Sequence, residues 1–311
     1  MSNYDKNIFD AFLLKWQLHE AVDYLRECPD KADWLSKYIE VFENGLYYKR
    51  TDHELLGNID QIYQHYYRNV FWNKMSKKEA EDFLFHELWQ YLGSDELLPK
   101  DETIENEIAR HVEAEGYHFL GGTTQGYYGP YIWKSSTREA YEVELPSGIQ
   151  PYTIVMMDGF LSRSWLDFLS FGTIGAGGWA GEDGTLCCVR SSYEKGGKEV
   201  FSLSFLKHEA QHVYDQAKYP DMPAVDLEYR AKLVELIYWP DAEKIKSILQ
   251  EADNSNPNNS HSVAAYRIIH ALSPKIFGQA YEEDETAWEK HTKEVKNYAY
   301  ELLKENNQQY S

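Results

Sequence analysis

The chain has 311 residues, of which 43% are hydrophobic and 15% aromatic, a composition that predicts one large or two ordinary globular domains and excludes a disordered chain. Its formal net charge of −20 would repel nucleic-acid phosphates and anionic lipid headgroups, so we expect neither nucleic acid nor membrane as a partner. Three cysteines are too few for a disulfide framework. Because the chain also has no secretory signal and no run of about 20 apolar residues, we expect a cytoplasmic protein.

Residues 1–117 are predicted to form a helical N-terminal region. Large apolar and aromatic residues recur there at approximately helical spacing, and glycine and proline are sparse. The predicted helical segments are Asn7–Arg26, Trp34–Phe42, Leu55–Phe71 and Lys78–Leu92.

Residues 118–311 are predicted to form a second region, in which β-favouring residues precede further helices. The run GTIGAGGWAGEDG (Gly172–Gly184) is too rich in glycine for a regular element. From Ser202 to Lys304 the pattern is helical again, broken at Tyr219–Pro223, at Pro240 and at Asn254–Ser260. The predicted fold class is therefore α+β and mostly helical. The predicted strands are Tyr131–Lys134, Ala140–Leu145, Pro151–Met157 and Thr185–Ser191.

One stretch, FLKHEAQHVYD (Phe205–Asp215), contains the pattern His-Glu-x-x-His. His208 and His212 are four residues apart, so on a helix their imidazoles are neighbours and can bind one zinc ion, while Glu209 can reach the attacking water. Three other His-Glu pairs do not complete the pattern: His19-Glu20, His53-Glu54 and His86-Glu87. A separate face of the motif helix is predicted to be an apolar stripe of Leu203, Leu206, Ala210, Val213 and Ala217.

A catalytic zinc ion needs a third protein ligand, which we expect from the helix that follows the motif. The segment Tyr219–Pro223 should end the motif helix, and a short connection makes the two helices antiparallel neighbours. Residues about equally far from this turn then lie at the same height, which places Glu228 level with His212. Glu228 is the predicted third ligand, and Glu235, about two turns deeper, is the second choice.

The residues His208-Glu209-x-x-His212 and Glu228-x-x-Ala231 resemble the gluzincin branch of the zinc metallopeptidases, over a small part of the chain. The resemblance implies a zincin-like catalytic core, with a small mixed sheet before the motif helix and C-terminal helices after it. In zincins an edge strand of that sheet binds the substrate as an added strand. Here that edge is expected in the stretch Gly177, Gly178, Trp179, Ala180 and Gly181, or in Thr185–Val189. Lys232 stands where many gluzincins carry an acidic residue that supports a ligand histidine.

The expected activity is hydrolysis of peptides or unfolded protein segments, with one Zn²⁺ per chain and Glu209 as general base. An additional donor should stabilise the developing oxyanion, and Tyr281 and His270 are selected from His261, Tyr266, His270, Tyr281 and His291. Two alternatives remain open: a non-catalytic protein that binds a structural metal or none, and an interaction module with a degenerate peptidase core. Endo- or exopeptidase mode and oligomeric state are also open.

Overall fold

The structure is a computed structural model that describes residues 4–92, 102–181, 183–194, 197–257 and 259–310. The fold is α+β and mostly helical with small sheets, as predicted. The chain forms two compact units: unit 1 comprises Met1–Ser135 and Asp158–Ala176, and unit 2 comprises Ser136–Met157 and Gly177–Ser311. These units do not coincide with the predicted boundary between residues 117 and 118, because the chain enters unit 2, returns to unit 1 and then enters unit 2 again.

Unit 1 is built mainly from helices around an aromatic core that includes Phe9, Tyr38 and Tyr67. The predicted helix Asn7–Arg26 is two helices, because Trp16 adopts a positive φ of 63° that interrupts it. Its helices are α1 (Lys6–Leu14), α2 (Leu18–Arg26), α3 (Ala32–Tyr38), α4 (Glu54–Tyr67), α5 (Lys77–Leu92) and α6 (Glu102–Ala114). Two of them continue as one turn of π-helix, α3 through Ile39–Glu43 and α4 through Arg68–Trp72.

Short strands follow the helices of unit 1. They are β1 (His118–Leu120), β2 (Thr123–Thr124), β3 (Tyr127–Tyr128) and β4 (Tyr131–Trp133). After the hairpin β5 (Ser135–Leu145) and β6 (Gly148–Asp158), the chain returns to unit 1 as β7 (Ser162–Arg163) and α7 (Ser164–Leu169). The order β1-β4-β7 explains why the returning segment belongs to unit 1: β7 pairs with β4, and a buried Arg50 joins Asp60 on α4 to Asp167 on α7.

Unit 2 contains a four-stranded sheet of order β5-β6-β9-β8, in which β8 is Gly178–Ala180 and β9 is Leu186–Val189. Strand β9 runs parallel to β6 and antiparallel to β8, so the sheet is mixed and β8 lies at its edge. Two expectations are corrected here. The glycine-rich run Gly172–Gly184 does contain a strand, and the strand predicted over Thr185–Ser191 ends at Val189, because a helix begins at Arg190.

The helices of unit 2 pack around one hydrophobic core that includes Leu233, Ile268 and Trp288. They are α8 (Arg190–Tyr193), α9 (Gly197–Val200), α10 (His208–Lys218), α11 (Ala224–Tyr238), α12 (Glu243–Glu251), α13 (Ser260–Phe277), α14 (Glu285–Glu289) and α15 (Thr292–Gln309). Helix α11 is central, in contact with α10, α13 and α15. Within the described ranges, no helix combines the length and the apolar character needed to cross a bilayer.

Candidate metal centre

The predicted motif helix is α10, which is entered through a π-helix over Phe201–Lys207. Leu203, Leu206 and Ala210 are buried as predicted, but Ala217 is exposed and Phe205 is fully buried instead. The π-helix accounts for Phe205, because its i→i+5 hydrogen bonds add a residue to the turn and bring a further side chain to the apolar face. Ala217 lies on the same face as Ala210 but in the last turn of α10. The Tyr152 hydroxyl donates to the carbonyl of Ala210 at 2.9 Å and so ties β6 to the motif helix.

Helices α10 and α11 form the expected antiparallel hairpin. Helix α11 begins at Ala224, directly after Pro223, whose fixed φ suits the start of a helix. Inside the hairpin, the guanidinium of Arg230 donates two hydrogen bonds to Asp215, at 2.7 and 2.8 Å, and both side chains are at most 1% exposed. Arg230 also donates to Asn306 of α15 at 3.0 Å. This buried network fixes α11 against α10 and thereby the height of Glu228.

The hairpin brings together His208, His212 and Glu228, hereafter the triad. The Nε2 atoms of the two histidines are 3.0 Å apart, and each lies 3.5 Å from an oxygen of Glu228. Two ligand atoms about 2.05 Å from a zinc ion at the tetrahedral angle are about 3.4 Å apart, so all three separations suit one zinc ion. Oε2 of Glu228 is buried and lies 3.5 Å from Nε2 of His208 and 3.0 Å from Nδ1 of His261. The spacing of the triad fits a bound cation.

Glu235, the second choice as a ligand, has a different place. Its Oε1 accepts a hydrogen bond from Nδ1 of His208 at 2.7 Å, so the Nδ1 proton is held there and Nε2 faces the triad. The other oxygen accepts from the Ser204 hydroxyl at 2.8 Å, and Lys244 forms an ion pair with the same carboxylate. Glu235 therefore orients His208 from the side away from Glu228, in the role that the family resemblance expected at position 232, where Lys232 instead pairs with Glu251.

The charged groups in and around the triad favour an additional positive charge there. Burial alone would lower the pKa of His208, but its contacts with Glu228 and Glu235 outweigh burial and raise the pKa to about 10. Burial alone would raise the pKa of both carboxyl groups, Glu228 and Glu235, but their cationic neighbours outweigh it. Lys244 and His208 lower the pKa of Glu235 to about 2, and three histidines hold the pKa of Glu228 well below its usual range. Two ionised carboxylates therefore surround the imidazoles, and either a proton or a metal ion can balance them.

The triad opens into a cleft of about 250 Å³ within unit 2. Its walls come from the edge strand β8, from α10, from the start of α11 and from the first turn of α13. The lining residues are Gly178, Trp179, Ala180, His208, Glu209, His212, Gln216, Ala224, Leu227, Glu228 and His261. Of the stretch predicted to bind substrate, Gly178, Trp179 and Ala180 are in this lining; Gly181 is not, and Gly177 flanks β8 and lies against Tyr193. The other expected edge, Thr185–Val189, contains β9, which lies inside the sheet between β6 and β8.

Neither residue selected as oxyanion donor lines the cleft. The rings of Tyr266 and Tyr281 stack with centroids 5.6 Å apart, and His270 lies beside Tyr266. The downstream histidine that does line the cleft is His261, whose Nδ1 is 3.0 Å from Glu228 and whose side chain is 51% exposed. Sequence reasoning considered His261 but had no reason to prefer it, because the position of α13 is set by packing against α11. Ser204 was missed, although it lies four residues before His208 and hence on the same face.

A larger cavity of about 680 Å³ lies in unit 1, lined in part by Tyr47, His65, Arg68 and Tyr91. His65 already pairs with Glu87, and Arg68 donates to two backbone carbonyls, so its charged groups have partners within the unit. None of the predicted site residues lines this cavity, and its size alone assigns it no chemistry. Comparison of the chain with protein-family models, curated proteins and solved structures finds no match.

Proposed function

We propose that unit 2 is a zinc-dependent hydrolase of peptide bonds. The observation that carries the proposal is the triad, whose three ligand atoms lie within 4.8 Å of one another beside Glu209 in an accessible cleft. Two imidazoles and a carboxylate are a donor set typical of catalytic zinc. No fourth donor from the described part of the chain joins this group. A structural zinc site would normally supply a fourth protein ligand, so the set favours catalysis.

When bound, zinc would lower the pKa of a water molecule toward neutrality and polarise the scissile carbonyl. His208 is held in the required tautomer by Glu235, so its Nε2 lone pair faces the triad. The Glu209 carboxylate takes a proton from the attacking water and passes it to the nitrogen of the leaving amine. His261, at the mouth of the cleft, donates to the carbonyl oxygen as negative charge develops there, the role that the sequence assigned to Tyr281 or His270.

The edge strand β8 supplies backbone groups for an extended substrate. Hydrogen bonds to the neighbouring segment begin at the carbonyl of Gly177, which accepts from Val189 at 2.8 Å, and at the N–H of Gly181, which donates to Thr185 at 2.7 Å. Hydrogen-bonded and non-bonded pairs alternate along an antiparallel ladder. The N–H and C=O groups of Gly178 and Ala180 therefore point away from β9, toward the open edge, where a peptide can pair with them.

Zinc content and peptide cleavage, measured together, test this function. Protein purified without added metal should contain about one zinc per chain, should retain it in Glu209→Gln and should lose it in His212→Ala. Glu209→Gln and His212→Ala should not cleave a denatured protein substrate that the wild type cleaves, and Glu228→Ala should bind zinc more weakly. His86→Ala is the matched control, because His86 is an exposed residue of α5 that begins an incomplete His-Glu pair, and its replacement should change neither quantity. Wild-type protein without stoichiometric zinc would refute the proposal.

The competing proposal is an interaction module in which His208, His212 and Glu228 form ion pairs and bind no metal. It is favoured by one observation: Glu228 and Glu235 already contact imidazoles, so the cluster can be balanced by protons alone. The two functions differ in the zinc measurement. The competing function predicts no zinc in the wild type and no effect of Glu209→Gln on any property of the protein.

A further inference from the structure

We infer that the cleft binds the interior of an extended, uncharged peptide segment, so that the enzyme is an endopeptidase; this inference rests on the proposed function. The first observation is how the ionisable groups of the cleft are used. Its ionisable lining residues are His208, Glu209, His212, Glu228 and His261. Three form the triad, Glu209 serves as the base, and His261 contacts Glu228 at 3.0 Å.

The rest of the lining is neutral. It consists of Gly178, Trp179, Ala180, Gln216, Ala224 and Leu227, and no lysine or arginine of the described residues belongs to it. An exopeptidase must hold a terminal ammonium or carboxylate next to the scissile bond. A charge taken from water into a site without a counter-charge is strongly disfavoured. Apart from the groups assigned to the triad and to the reaction, the lining offers no cation for a carboxylate and no carboxylate for an ammonium, so a chain end finds no counter-charge of its own there.

Two charged residues close in sequence to the lining of the cleft, Asp226 and Lys218, already have partners. Asp226, on the first turn of α11, contacts Arg267 at 2.8 Å and also binds the hydroxyl of Tyr310. Lys218, at the end of α10, lies over the ring of Tyr219. A peptide terminus would have to break such a contact to gain a partner. The uncharged peptide bonds of a chain interior meet no such penalty.

The dimensions of the cleft also suit a segment that passes through it. Its volume of about 250 Å³ is below the range of about 300–1,000 Å³ that encloses a drug-sized ligand. It therefore holds one or two residues, and the remaining substrate must lie outside, along the edge of β8. The wall formed by Ala224 and Leu227 is apolar, so we expect a neutral, preferably apolar side chain at the residue that enters it.

A peptide library in two forms tests the inference. One form has acetylated N-termini and amidated C-termini, the other has free termini, and products are identified by mass spectrometry with Glu209→Gln as the blank. An endopeptidase should cut both forms internally, with rates that differ by less than about fivefold, the most that an exposed charge contributes. An exopeptidase would lose about 30-fold or more on blocking. That loss would overturn the inference but leave the proposed function intact, whereas zinc-loaded protein that cuts neither form would overturn both.

A charge added to the cleft provides a second test. Gln216 lines the cleft and its side chain is exposed, so Gln216→Lys and Gln216→Glu should fold alike. Because the wild-type cleft is neutral outside its centre, the lysine variant should favour peptides with an acidic residue near the cut by about two- to fivefold, and the glutamate variant should do the reverse. Identical preferences in the two variants would show that peptides do not pass this wall and would overturn the inference.

Discussion

Replacing Glu235 by glutamine should weaken zinc binding without removing any atom of the triad. The Glu235 carboxylate is 2% exposed and accepts from His208 Nδ1 at 2.7 Å. Glutamine has nearly the same shape but no charge, and its amide can offer either an oxygen or an NH₂ group to that nitrogen. His208 would lose the charge-assisted hydrogen bond that fixes its ring and its tautomer. We therefore expect Glu235→Gln to act on the metal through His208.

The size of this effect follows from the partners that Glu235 has. Loss of an outer partner of a ligand histidine typically reduces metal affinity about 10–100-fold, which corresponds to about 1.4–2.7 kcal/mol. The substitution also leaves Lys244, 15% exposed, without its ion-pair partner. An amide that turns its NH₂ group toward Lys244 would add repulsion to that loss. We expect the larger end of the range, with a modest loss of folding stability as well.

The assay is competition for zinc between the protein and a fluorescent chelator, at one pH and with folding monitored by circular dichroism. Glu251→Gln is the matched control, because Glu251 also pairs with a lysine, Lys232 at 2.6 Å, but does not contact a histidine. The control should bind zinc as the wild type does. A dissociation constant for Glu235→Gln within twofold of the wild type would refute the assignment of Glu235 as the residue that orients His208.

Three further predictions concern the framework of the site. Arg230→Leu or Asp215→Leu alone should lower the free energy of unfolding by about 3–5 kcal/mol in urea titrations, because each single change leaves a buried charge without its partner. The double variant should lose much less than the sum of the two. Gly178→Ala should lower the free energy of unfolding by about 1–3 kcal/mol, since a Cβ there would lie 2.3 Å from the Phe205 ring. Gly57→Ala should not, because a Cβ there would meet nothing closer than 3.8 Å. Burial raises the pKa of Cys188 to about 12, so iodoacetamide at pH 8 should label it only after unfolding; rapid labelling of the native protein would contradict this.

The helical hairpin could be predicted from the sequence because short-range rules determine it. Two helices with the same rise per residue, joined by a turn containing two prolines, must be antiparallel neighbours, and counting outward from the turn then pairs residues at equal height. The structure brings Glu228 to His212 as that count predicted. The π-helix before the motif was not predictable in the same way. It depends on how Phe205 packs in the core of unit 2, which no local pattern in the sequence records.

The place of Glu235 was misjudged because height alone was counted. Seven residues of helix turn through about 700°, so Glu228 and Glu235 share one face of α11 about 10 Å apart along the axis. His208 and His212 are about 6 Å apart in the opposite sense, which leaves about 4 Å of height between Glu235 and His208. The glutamate and imidazole side chains span that difference and meet at 2.7 Å. Side-chain length and helical face, considered together, would have found the contact.

The geometry of α13 separates His261 from His270 as the oxyanion donor. The two residues are nine positions apart, which on a helix is about 900° and about 13 Å, so they lie on opposite faces and only one can face the triad. His261 lines the cleft and His270 does not. We expect His261→Ala to lower kcat/KM about 100-fold while zinc remains bound, and His270→Ala to leave both unchanged. Activity lost only in the His270 variant would mean that α13 does not present its first turn to the substrate.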